Sequence, residues 1–68
     1  MREYKIYKTD LGWSIYRKKH IGKMIMVQFL NWHDMWTPNK ILARIFYNEE
    51  DAISALSIMK IKDGKKSD

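Results

Sequence analysis

Few side chains in this 68-residue sequence could carry acid–base or metal chemistry, and each has a plainer reading. His33 and Asp34 could serve as a base and its orienting carboxylate, but neighbouring residues on a strand point to opposite faces. Glu49, Glu50 and Asp51 resemble a metal cluster until their place is noted, directly after Asn48 and at the start of an apolar helical repeat. There they offset the positive end of a helix dipole. The two histidines, His20 and His33, are too few for a metal site without further carboxylates, and the absence of Cys excludes disulfides and thiolate-bound zinc. Ser14, Ser54, Ser57 and Ser67 lie in no recognisable nucleophile setting, and no Gly-rich phosphate loop is present. The expectation is a non-enzymatic protein with no catalytic or metal residues, no cofactor and no small-molecule substrate.

Binding chemistry is better represented. Lys5, Tyr7, Tyr16 and Lys18, with Arg17, Lys19 and Lys23 nearby, combine cations that can neutralise phosphates with rings that can stack on bases. Thirteen basic against eight acidic residues give a net charge of +5, which favours a polyanionic partner. A second set is apolar: Met24, Met26, Leu30 and Trp32, with only Gln28 between, and Trp36 beyond. Interface cores are rich in Met and aromatic residues and poor in charge. This strip calls for a cover, which is either residues 32–40 of the chain itself or a protein partner, whether a host protein or a second copy in a homodimer.

The elements that must position these residues follow from local pattern. Residues 4–8 are aromatic and β-branched and read as a strand. Thr9, Asp10, Leu11 and Gly12 are turn-forming, and residues 13–18 alternate again, which makes a hairpin. Residues 19–23 form a second Gly-containing turn before a longer strand from 24 to about 31. If a helix covers one sheet face, Tyr4, Ile6, Trp13, Ile15, Ile25, Val27, Phe29, Ile41, Ala43 and Ile45 are expected there. Lys5, Tyr7, Ser14, Tyr16 and Lys18 then face away, on the side of Met24 and Met26.

Residues 32–40, which include Pro38, read as a loop. Residues 41–47 carry two patterns. Their β-branched and aromatic content favours a fourth strand, whereas Thr37-Pro38 is a good helix start that would place Ile41, Leu42, Ile45 and Phe46 on one face. After them Asn48 is a strong N-cap, and Ala52, Ala55, Leu56 and Met59 form an apolar stripe at helical spacing, with Ile53 at its edge. The fold class expected is α+β: a three- or four-stranded antiparallel meander packed against one C-terminal helix. Residues 1–62 form a single domain, and residues 63–68, which lack apolar side chains, form a disordered tail. No apolar run approaches the ~20 residues of a membrane span and none resembles a signal peptide, so a cytoplasmic protein with no membrane partner is expected.

Gly12-Trp13-Ser14-Ile15-Tyr16-Arg17, followed later by Phe46-Tyr47-Asn48-Glu49-Glu50-Asp51-Ala52 entering a helix, resembles the arm-type DNA-binding domains of tyrosine recombinases. Those domains share a three-stranded sheet plus helix with plant AP2 domains. The resemblance implies a sheet that enters the major groove, with Ser14, Tyr16 and Lys18, and Lys5 and Tyr7 beside them, reading DNA. The apolar third strand and residues 32–40 depart from that pattern. In length and in its richness in Lys, Ile and aromatics the chain also resembles small accessory proteins of tailed phages, which implies binding to a host protein.

Overall fold

Two tight turns set the register of the sheet. In the computed structural model, which describes residues 2–66, β1 (Arg2–Thr9), β2 (Gly12–Ile21), β3 (Met24–Leu30) and β4 (Trp36–Thr37) form one antiparallel sheet in the order β1-β2-β3-β4. A single helix, α1 (Glu49–Lys66), packs on β2 and β1. The expected α+β meander with one C-terminal helix is the observed fold.

At the first turn the Thr9 hydroxyl accepts the backbone N–H of Leu11 at 3.2 Å and of Gly12 at 3.1 Å. Gly12 has φ +150°, and a Cβ there would lie 2.4 Å from the Phe46 carbonyl oxygen. Only glycine permits both this backbone and this approach. At the second turn Ile21 pairs with Met24, so only Gly22 and Lys23 connect the strands. Gly22 has φ +59° at the first central position of a two-residue hairpin loop, where a II′ turn requires a positive value.

That short turn reverses the expected faces of β3. A five-residue turn over 19–23 would pair Lys18 with Met24 and put Ile25, Val27 and Phe29 beside Ile15. The two-residue turn pairs Arg17 with Gln28 and Lys18 with Val27 instead. A one-residue change of register turns every side chain over. Leu30, with no exposed surface, therefore joins Ile15, Phe46, Ala52, Leu56 and Met59 in the core, with Tyr4, Ile6, Trp13, Trp36 and Ala55 packed around them. Ile25, Val27 and Phe29 lie on the other face, with Lys5, Tyr7, Tyr16 and Lys18.

Residues 31–47 are neither a plain loop nor a full strand. The Asn31 side-chain oxygen accepts the N–H groups of His33 and Met35, at 2.9 and 3.0 Å, and closes a turn in which Asp34 takes φ +58°. This reversal brings β4 back against β3, with Leu30 opposite Trp36. One 3-10 turn, Lys40–Leu42, follows, capped by the Asn39 side chain on Ile41 N–H. The chain then runs extended, with single bridges from Ala43 to Asn31 and from Phe46 to Trp13. Trp13 and Phe46 exchange both backbone hydrogen bonds at 2.7 Å. Neither a helix nor a continuous strand over 41–47 is present; the segment wedges between the start of β2 and the end of β3.

In α1 the stripe expected from spacing is the buried face: Ala52, Leu56 and Met59, with Ala55 half-buried. Asn48 donates from Nδ2 to the Asp51 carboxylate at 3.3 Å at its start. The disordered tail expected from residue 63 is corrected within the described residues. The helix continues to Lys66, and Asp63 is buried because Arg17 and Tyr4 hold it. A count of apolar residues missed a helical turn anchored by an acid. Residues 67 and 68 of that expected tail lie outside the described residues.

Candidate nucleic-acid interface

The sheet face turned away from α1 carries a cluster of three rings, one from each of the first three strands. Tyr7 and Tyr16 have centroids 5.6 Å apart, Tyr16 and Phe29 6.3 Å, and Tyr7 and Phe29 6.4 Å. Strand alternation projects all three to this face, and the register places Lys5 opposite Tyr16 and Tyr7 opposite Ser14. All three residues are half-buried, and together they line a depression on this face. Tyr7, Tyr16, Lys18, Val27, Phe29 and Lys40 line this shallow, open depression of about 350 Å³. The Lys40 ammonium lies 5.8 Å from the Tyr7 ring centroid, within the range of a cation–π attraction. Lys5 is exposed beside them.

Of the basic set expected from sequence, Lys5, Tyr7, Tyr16 and Lys18 thus share one face. Arg17 does not. It points to the helix side and is buried, with Nη1 on Asp63 at 2.7 Å, Nε donating to Gln28 at 2.9 Å, and its guanidinium 4.4 Å from the Trp36 ring centroid. It is a structural cation and is withdrawn from the candidate site. Lys19 pairs with Met26, which puts it on the Arg17 side, and Lys23 sits in the exposed second turn. Ser14, expected to face a ligand from the family resemblance, is fully buried and donates to the Arg44 carbonyl at 3.0 Å. Phe29 and Lys40 complete the site and were not expected there. The two-residue Gly22-Lys23 turn was the signal for Phe29, and none in the sequence pointed to Lys40.

The apolar strip expected as a protein interface is divided. Leu30 is core and Trp36 is half-buried, tilted against Tyr4 with centroids 6.0 Å apart and beside the Arg17 guanidinium. Met24 and Met26 are exposed near the β2–β3 turn, on the helix side of the sheet. Trp32 is exposed at the other end of β3, beside the Arg44 guanidinium at 5.5 Å. No single surface holds all five.

A larger groove of about 440 Å³ lies between α1 and the turn after β3, lined by Trp32, Asp34, Arg44, Tyr47, Ser54 and Ile58 among others. Two of its charged groups pair, Arg44 Nη1 lying 3.3 Å from Asp34 Oδ1, and Asp51 accepts from Asn48, while Lys62 also lines it. Asp34 therefore orients no histidine, and His33 is held through its backbone N–H. His20 lies 3.7 Å from Glu3, a surface contact. Among the described residues no three His, Cys, Asp or Glu side chains gather as a metal set. No helix among them is long and apolar enough to cross a membrane. Volume alone would select the groove; the chemistry favours the smaller aromatic face. The chain matches no protein-family model, and no curated protein or solved structure is similar to it at a meaningful level.

Proposed function

We propose that this chain is a non-catalytic accessory protein that binds single-stranded nucleic acid on the open face of its sheet. The observation that carries the reading is the cluster of Tyr7, Tyr16 and Phe29 rings, uncovered by the helix and flanked by Lys5, Lys18 and Lys40. Every unpaired base has a π surface, and stacking on an aromatic side chain contributes about 1–3 kcal/mol per base. Duplex bases bury that surface in their own stack, so a ring cluster on an open sheet face discriminates in favour of single strands. The lysines add the phosphate attraction, which is insensitive to sequence and weakens with salt.

The resemblance to sheet-reading DNA-binding domains favours a duplex instead. Ser14, one of the positions it assigns to base reading, is buried here, and the third strand offers Val27 and Phe29 where polar readers are wanted. Both features favour stacking over groove reading. Fluorescence anisotropy with labelled single-stranded and duplex oligonucleotides of one sequence, over a salt series, separates the two. Tighter binding of the single strand, falling with salt, supports the proposal. Preference for the duplex transfers it to groove binding, and absence of binding to either at low salt removes it.

A further inference from the structure

The two free edges of the sheet are built differently. β1 exposes Glu3, Lys5 and Lys8 along its length, and charged residues of this kind blunt a strand edge against pairing with another chain. The outer edge of β3 has no such protection. β4 covers it only at Phe29 and Leu30, so residues 24–28 have no outer partner strand among the described residues. That stretch, Met-Ile-Met-Val-Gln, holds no charge, no Pro and no Gly, and Met24, Ile25, Met26 and Val27 are all exposed.

Which main-chain groups are free follows from alternation along the strand. The Leu30 carbonyl accepts from Arg44 N–H at 2.8 Å on the β2 side. Gln28, Met26 and Met24 therefore direct their N–H and C=O groups to β2, and Val27 and Ile25 direct theirs outward. Two outward residues flanking one inward residue form a self-complementary set. We propose that residues 24–28 pair antiparallel with the same residues of a second copy, about a two-fold axis through Met26. Ile25 and Val27 of one copy then exchange backbone hydrogen bonds with Val27 and Ile25 of the other, and Met26 faces Met26.

Three observations select a second copy over a foreign strand. The free stretch is centred on Met26, so the two-fold register uses all of it and stops where β4 begins. The strip carries no charge, so it has nothing to match in an acidic or basic segment and nothing to repel in itself. The nearest lysines stay apart: Lys23 and its mate are separated by about 20 Å at ~3.3 Å per residue, and Lys19 and its mate by about 14 Å over three ~4.8 Å strand spacings. Both exceed the Debye length of ~8 Å at physiological salt. The charged β1 edges remain outside, so the assembly closes at two. The axis is perpendicular to the sheet, which leaves both helices on one side and both ring clusters on the other. This pairing stands or falls independently of the nucleic-acid reading.

Light scattering of the full chain from micromolar to millimolar concentration, with no nucleic acid present, tests it. The expected mass rises from 8.2 kDa to twice that value. A mixture of isotope-labelled and unlabelled chains shows an intermolecular contact between the two Met26 α-protons, which face each other only in this register. Met26→Lys, which opposes two like charges, and Val27→Pro, which removes an outward N–H that no strand of the same chain uses, stay at 8.2 kDa with an unchanged circular dichroism spectrum. A wild-type chain that stays at 8.2 kDa throughout overturns the proposal. So does a dimer without the Met26 contact, a dimer retained by both folded variants, or growth beyond two copies.

Discussion

The Arg17 guanidinium and the Asp63 carboxylate meet at 2.7 Å, 46 residues apart in sequence, with only 11% and 10% of their side chains exposed. Around the pair, Tyr4 donates to the same Asp63 oxygen at 2.7 Å, Gln28 accepts from Arg17, and Trp36 lies against the guanidinium plane. One polar centre therefore links all four strands to the last turns of α1. The apolar core is small, and this network fixes the C-terminal half of the helix on the sheet. Removing one partner strands the other charge out of water, whereas replacing both with apolar side chains leaves no charge to desolvate.

Arg17→Ala or Asp63→Ala is expected to lower stability by about 3–5 kcal/mol, a large share of the total for a domain of this size. The double variant Arg17→Met/Asp63→Leu is expected to lose less than either single change. Urea unfolding followed by circular dichroism measures all three. Single variants within about 0.5 kcal/mol of wild type, the range of ordinary surface substitutions, would show that the pair does not hold the helix.

The two turn glycines are expected to differ in their tolerance of alanine. At Gly12 an added Cβ meets the Phe46 carbonyl at 2.4 Å, while at Gly22 it meets nothing within 4 Å. Gly22→Ala carries only the backbone cost of a positive φ in a II′ turn, roughly 1–3 kcal/mol. Gly12→Ala adds displacement of Phe46 and loss of its paired hydrogen bonds to Trp13. Thermal unfolding of the two variants side by side should show the larger drop for Gly12→Ala; equal drops contradict the close approach.

How far these features could be read from sequence depended on how local they were. The helix start at Asn48, Glu49, Glu50 and Asp51, the buried stripe of Ala52, Leu56 and Met59, and the first Gly turn rest on neighbours a few residues apart, and all were legible; the second Gly turn was legible in place but not in length. The faces of β3 were not, because they hinge on whether the second turn has two residues or five. Arg17 looked like one more cation beside Tyr16, since its partner Asp63 lay in a segment with no apolar residue to mark it as ordered. Residues 41–47 carried both helical and strand patterns because they are held at two isolated bridge points and owe little to local periodicity. Lys40 reaches the Tyr7 ring only through the path of residues 31–40, which no local pattern specifies.

Salt dependence distinguishes the roles of the lysines. Lys5→Ala, Lys18→Ala and Lys40→Ala are each expected to weaken single-strand binding and to reduce the slope of log affinity against log salt by about 0.7. Arg17→Lys is expected to leave that slope unchanged, since Arg17 lies on the buried side of the sheet. An unchanged slope in the three alanine variants would show that the lysines contact no phosphate.

The rings should act by stacking. Tyr16→Phe keeps the π surface and is expected to retain binding, while Tyr16→Ala is expected to cost about 1–3 kcal/mol of affinity if one base stacks there. Equal losses in both variants would assign the hydroxyl, and not the ring, as the contact.

The most direct test is to locate a bound single strand on the protein by nuclear magnetic resonance, following the aromatic ring signals of the full chain as an unlabelled oligonucleotide is added. The prediction is that the ring protons of Tyr7, Tyr16 and Phe29 move upfield together, with the Lys5, Lys18 and Lys40 side chains responding, while Tyr47 beside the larger groove stays fixed. Shifts centred on Trp32 and Tyr47, or none at saturating oligonucleotide, would contradict the proposal that this face binds nucleic acid.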